Sequence, residues 1–284
     1  MAGRAGAEGA SSIGAIGIPG DTAEVWWARR HDASDRHLAL LDETERQRWT
    51  AYRRDADRER FAVGCVLAKA ALARYAGLRP ADVRFDRTCR QCGKPHGKPA
   101  FTGSASAGGA SAGGISAGGI SAGGAVEGRA IEHSVAHSGD LVAVAVAGYP
   151  VGVDVEQLDG RPHPLGGDGD PEALGRLVLS GAEQAVLATI PSSGRARAFL
   201  VAWTRKEAVT KATGDGLRAA FSEVVVAADA GPPRLASWPY PRDPGEVTLL
   251  DLDTAPGYVA ALAVLGPCAA VAPRDGSALL AELP

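Results

Sequence analysis

Val151-Gly152-Val153-Asp154-Val155-Glu156 alternates valine with acid. A strand sends successive side chains to opposite faces, so Asp154 and Glu156 share one face and the valines share the other. The apolar run Leu141 to Val146 predicts a second strand, and the turn residues Gly148-Tyr149-Pro150 between the two predict a hairpin. Glu24-Val25-Trp26-Trp27-Ala28 predicts a first strand, and Val224–Ala227, Val247–Leu252 and Tyr258–Val264 predict later ones. From Leu40 to about Tyr75 the spacing is helical. Asp42-Glu43-Thr44-Glu45 opens the stretch, the apolar stripe runs through Phe61, Val66, Leu67, Ala70 and Ala71, and Gly77 stops it. Ser180-Gly181-Ala182-Glu183 is a capping box opening another helix. A further helix runs from about Arg195 through Ala212, with Gly214 and Gly216 after it. On it Trp203, Glu207 and Lys211 stand four apart on one stripe.

Three segments break these patterns. Residues 1–20 are rich in Gly, Ala and Ser and read as a disordered lead. Residues 103–124 repeat Ser-Ala-Gly-Gly and read as a flexible insertion that loops out without moving its flanks, because closure cost rises slowly with loop length. Residues 157–171 read as a loop. Gly257-Tyr258-Val259-Ala260-Ala261-Leu262-Ala263 echoes Gly139-Asp140-Leu141-Val142-Ala143-Val144-Ala145, which fits two related halves, 21–147 and 148–284.

Composition bounds the function. The chain has 284 residues, 45% hydrophobic but only 5% aromatic, so aliphatic side chains and alanine fill the core. A net charge of −3 argues against general nucleic-acid binding. Four cysteines in a chain this long do not form a secreted disulfide framework. With no signal-peptide pattern and no apolar run long enough for a bilayer, a soluble cytoplasmic protein is expected, with no membrane partner.

Asp154, Glu156 and Glu207 are oxygen donors, a set that suits Mg²⁺ before Zn²⁺ and leaves positions for water and phosphate oxygens. Two like charges on one strand face repel unless a cation compensates. Glu207 and Lys211 alone read as an ordinary helix salt bridge; GVDVE and Trp203 beside them turn the reading to a site. Lys206 reads as solvated or phosphate-facing, and Trp203 as packing. Cys89 and Cys92 with His96 lack a fourth zinc ligand and read as a loop with two free thiols. No GxxxxGK[ST] loop is present, which argues against a P-loop phosphotransferase.

GVDVE followed by WTRKEAVTKATGDGL resembles the signature pair of the 4'-phosphopantetheinyl transferases, in the larger, pseudo-dimeric type that activates carrier proteins of peptide and polyketide synthetases. The resemblance spans roughly residues 40–265 apart from the insertion. It implies an α+β fold with a pseudo-two-fold arrangement of two similar α+β halves, and an active site in the cleft between them. It implies a monomer that uses Mg²⁺ and coenzyme A to modify a serine of apo acyl or peptidyl carrier proteins, releasing 3',5'-ADP. Asp154, Glu156 and Glu207 would hold the metal, and Glu207 and Lys211 would carry the catalysis. Arg53, Arg60, Lys98, His137 and Lys211 would bind coenzyme A, with Lys98 in the GKP loop and His137 in a serine-histidine-serine turn. Here that turn reads Ala136-His137-Ser138, one hydroxyl short. A non-catalytic binding module on the same fold is the rival, and the presence of both Glu207 and Lys211 speaks against it.

Overall fold

Strand β1 (Thr22–Arg29) opens a computed structural model that describes residues 20–89, 92–94, 97–104, 125–126, 129–158, 171–215, 220–227 and 231–283. The repeat-rich insertion from 105 to 124, His96, Gly216, the lead before residue 20 and most of the 157–171 loop lie outside the described residues. A short α1 (Asp35–Leu38) precedes α2 (Glu43–Ala51) and α3 (Asp55–Ala76). Glu45 N donates to the Asp42 carboxylate at 2.9 Å and Asp42 N donates to Glu45 at 2.8 Å, so the expected first turn is a reciprocal capping box. Gly77 ends α3 with φ 63°, a backbone shape that glycine adopts without strain. After the pair β2 (Val83–Asp86) and β3 (Ala100–Ser104) and the two-residue rungs β4 (Ala125–Val126) and β5 (Arg129–Ala130) come β6 (Glu132–Ser138) and β7 (Leu141–Ala147).

The second half begins with β8 (Val151–Gln157), then α4 (Pro171–Val178), α5 (Gly181–Thr189) and the long α6 (Ser192–Thr213). Strands β9 (Val225–Val226), β10 (Leu235–Ser237), β11 (Thr248–Asp251) and β12 (Tyr258–Val264) follow, and the chain closes with β13 (Ala270–Asp275) and α7 (Gly276–Ala281). The main sheets run β13-β1-β7-β6 and β11-β12-β8. The hairpin expected between β7 and β8 does not form. Both edges of β7 are taken, by β6 and by β1, so β8 pairs antiparallel with β12 instead.

The halves repeat one plan of mixed α+β structure. In each, a strand, a nine-residue capped helix and a 22-residue helix precede an antiparallel pair that returns beside the first strand. Buried lysines make the match residue by residue. Lys69 and Lys206 are each the fifteenth residue of their 22-residue helix, and neither is exposed. Lys69 Nζ reaches Glu45 at 2.6 Å and the Leu40 carbonyl at 2.7 Å; Lys206 Nζ reaches Glu183 at 2.7 Å and the Val178 carbonyl at 2.9 Å. Glu45 and Glu183 are both the closing glutamates of capping boxes. Each lysine therefore nails its long helix to the start of the short one. Lys206 is thus neither solvated nor phosphate-facing, as its sequence neighbours suggested. On this match, Ala70 stands where Glu207 stands and Arg74 where Lys211 does, so only the second half supplies an acid at that place.

The tail departs from the division expected at residue 147. β13 crosses back to pair parallel with β1, and Arg274 forks onto buried Glu24 at 2.8 and 3.0 Å. Leu279, Leu280 and Leu283 enter the core beneath α3. Deleting residues 267–284 bares the β1 edge and empties three leucine sites, each worth about 2–5 kcal/mol. The expected result is loss of the cooperative thermal transition and aggregation on size exclusion.

Candidate active site

Gly152 sets the geometry. A Cβ there would collide with the Ala208 carbonyl oxygen and fall 2.5 Å from Ala212 N and 2.9 Å from Lys211 Cβ. The backbone of α6 lies flush on β8 at this point. Four helical residues rise about 6 Å and two strand residues about 7 Å, so the two elements stay in step. Gly152, Asp154 and Glu156 therefore climb β8 past Lys211, Glu207 and Trp203 on α6. Gly152→Ala is expected to force these elements apart, lowering stability by about 1–3 kcal/mol or more and activity with it. Thermal melts and turnover on the same preparation check this.

The charges at this junction are mostly internal. Lys211 Nζ donates to Asp154 Oδ1 at 2.6 Å, across the two elements rather than to Glu207 on its own helix. Asp154 Oδ2 is buried with no hydrogen-bond partner. Trp203 Nε1 donates to Glu156 Oε1 at 3.2 Å, and Ser138 Oγ donates to Glu156 Oε2 at 2.9 Å. Burial, then the neighbouring charge of Asp154, pushes Glu156 up to about 7. Burial also raises Asp154 and Glu207 against the pull of Lys211. For Lys211 burial works against the charge, but Asp154 and Glu207 outweigh it and hold the ammonium above its usual value.

Among the described residues, no group of three His, Cys, Asp or Glu side chains is gathered closely enough to hold a metal ion as it stands. The donor set nevertheless fits a hard divalent cation. Three acids crowd one wall, all of them disfavoured in the charged form, and one buried carboxylate oxygen is left without a partner. A bound cation would supply the compensation that one lysine cannot give to three carboxylates.

These residues line a cleft of about 870 Å³. Arg60, Lys98 and His137 line it with Asp154, Glu156, Glu207 and Lys211. Arg53 does not; it is exposed in the link between α2 and α3. Arg60 Nη1 donates to the Gly139 carbonyl at 2.8 Å, and its other arm pairs with Asp57, so part of its charge is already committed. Lys98 Nζ donates to the Val151 carbonyl at 3.1 Å. His137 is open to solvent on the cleft wall but crowded elsewhere. Lost hydration, with the positive charges of Lys211 and Arg60, holds its imidazole down to about 4. Cys89 is buried and Cys92 exposed.

Sequence reasoning missed four residues. Arg48 and Arg87 add positive charge to the same cleft, and Arg87 pairs with Glu45 at 2.7 Å. Arg48 stands in the arginine-rich stretch with Arg53, Arg54, Arg58 and Arg60 but in no motif, and nothing local marks Arg87. Ser138 and Trp203 hold Glu156, and the four-residue step from Trp203 to Glu207 was the available sign.

A family model described as the 4'-phosphopantetheinyl transferase superfamily matches residues 150–263, the span from the start of β8 almost to the end of β12. Over 231 residues the chain is 29% identical to the 4'-phosphopantetheinyl transferase HetI of Nostoc, covering 80% of each protein. Over 222 residues it is 26% identical to a putative 4'-phosphopantetheinyl transferase of Synechocystis, covering 78% of this chain and 74% of that protein. Among solved structures, the holo-[acyl-carrier-protein] synthase of Thermotoga maritima aligns with 42% of this chain and 63% of its own length. Its identity is 24% and its TM-score 0.31. The acid-bearing strand and the WTRKEAVTK helix both lie inside the span that matches the 4'-phosphopantetheinyl transferase superfamily, and the similarity to two such transferases extends over most of the chain.

Proposed function

We propose that this protein transfers the 4'-phosphopantetheine arm of coenzyme A to a serine of apo acyl or peptidyl carrier proteins in the presence of Mg²⁺, activating fatty acid, polyketide or nonribosomal peptide synthases. The observation that carries the reading is the close seat of α6 on Gly152, which puts Asp154, Glu156, Glu207 and Lys211 on the wall of a large cleft that Arg60, Lys98 and His137 also line. In this reading the pyrophosphate of coenzyme A lies against Lys211, and Lys98 and His137 hold its phosphates. Arg60 adds charge at the His137 end. Asp154, Glu156 and Glu207 would hold Mg²⁺, which when bound supplies charge neutralisation to the pyrophosphate oxygens.

The carrier serine oxygen attacks the β-phosphorus, the bond from that phosphorus to the bridging oxygen breaks, and 3',5'-ADP leaves with the bonding pair. Glu207 takes the serine proton, directly or through water. Lys211 stabilises charge developing on the bridging and α-phosphate oxygens. At 9% exposure Glu207 is sheltered enough for its raised basicity to persist, yet it reaches the cleft.

Two measurements test the ligand side. Lys98→Ala and His137→Ala are expected to weaken coenzyme A binding by calorimetry while leaving Mg²⁺ binding alone. Mg²⁺ competes with the proton on Glu156, so apparent Mg²⁺ affinity is expected to rise with pH up to about 7 and level off above it. Affinity independent of pH between 5 and 8 contradicts ligation by Glu156.

A further inference from the structure

We propose that Ser138 and Trp203 are positioning residues that fix the carboxylate of Glu156 from opposite halves of the molecule, making the join between the two sheets part of the cation site. The inference rests on the reading of Glu156 as a cation ligand. β6 and β8 belong to different sheets, yet they run side by side in the same direction. The contacts between them are serine hydroxyls rather than a backbone ladder. Ser134 Oγ accepts from Val153 N at 3.1 Å, and Ser138 Oγ accepts from Gln157 N at 3.1 Å, the same offset four residues on. The residue midway, Ala136, has no hydroxyl to give.

Ser138 differs from Ser134 in where its proton goes. A serine hydroxyl has one proton and two lone pairs. With the Gln157 N–H on the oxygen, the proton is free to point at Glu156 Oε2, 2.9 Å away. The other carboxylate oxygen takes the indole N–H of Trp203 at 3.2 Å. Trp203 cannot swing easily, because it is 3% exposed and its ring stacks on Phe221 with centroids 5.2 Å apart. One donor comes from β6 in the first half and the other from α6 in the second. Together they hold both ends of the carboxylate and so fix its plane. Slippage of β6 along β8 would release one end. Partners that orient ligating carboxylates typically carry about 10- to 100-fold in metal affinity.

The test uses Mn²⁺ alone as the probe, with binding read by electron paramagnetic resonance and melting temperature and the split of kcat from KM measured alongside. Ser138→Ala and Trp203→Phe, the latter keeping an aromatic ring against Phe221, are each expected to weaken Mn²⁺ by about tenfold or more. They should lower kcat while leaving KM for coenzyme A little changed. Ser138→Thr keeps the hydroxyl and is expected to retain Mn²⁺ affinity. Mn²⁺ binding that Glu156→Gln abolishes but that Ser138→Ala and Trp203→Phe leave untouched overturns this inference alone. Natural protein with no Mn²⁺ binding sensitive to Glu156→Gln removes the cation reading and this inference with it.

Discussion

Glu207→Gln is expected to lower kcat by about 100- to 10,000-fold, the span that a positioned general base contributes. The substitution keeps the shape of the side chain but removes both the proposed proton acceptor and one proposed cation-binding charge. It should also weaken Mg²⁺. Stability should hold or rise at neutral pH, because burial already disfavours the Glu207 charge. Lys211→Ala is expected to behave differently. It removes the proposed phosphate contact, at about 100- to 1,000-fold in kcat, and it strips Asp154 Oδ1 of its partner. Stability should fall, and Mg²⁺ affinity should stay level or tighten as the cation takes over that oxygen. A pair that only supports the helix would cost a few tenths of a kcal/mol in either variant and leave turnover intact. Measuring kcat, Mg²⁺ dependence and melting temperature for both variants side by side separates these outcomes.

Among single substitutions the largest effect on stability is expected at Lys206, which does not line the cleft. Its ammonium is fully buried and donates to Glu183 and to the carbonyls of Val178 and Phe221. Lys206→Ala leaves the Glu183 charge buried without its counter-ion, at about 3–5 kcal/mol. For a chain of this size that is on the order of 10 °C in melting temperature. Glu183 keeps backbone donors from Ser180 and Val226, which limits the loss. Pairing Lys206→Met with Glu183→Gln removes both charges and is expected to recover much of the stability, because the cost lies in the unpaired charge. Because Lys206 and Glu207 adjoin, a fall in kcat beyond the loss of folded protein would show that α6 has also shifted.

Local periodicity explains what could be read from the chain. The alternation in GVDVE and the four-residue step from Trp203 to Lys211 are each complete within a few residues. Their convergence needed only that the helix lie on the strand. Capping boxes at Asp42 and Ser180 and the stop at Gly77 are equally local. What escaped depends on partners distant in sequence. Lys206 looks solvated until Glu183 and two carbonyls surround it. The β7–β8 hairpin looks natural until β1 and β6 occupy both edges of β7. Arg53 sits in an arginine run as convincing as any, yet the link between α2 and α3 leaves it outside the cleft, while Arg87 reaches in from a segment with no motif. Ser138 has no signature because its importance depends on which strand lies alongside.

The most direct test of phosphopantetheine transfer is mass spectrometry of apo acyl and peptidyl carrier proteins incubated with the protein, coenzyme A and Mg²⁺. At least one carrier is expected to gain a single phosphopantetheine arm on serine with equimolar release of 3',5'-ADP, and Asp154→Ala and Glu207→Gln are expected to abolish the gain. Folded protein that binds coenzyme A but modifies no carrier, or Glu207→Gln protein that modifies carriers at the natural rate, would contradict the proposed function.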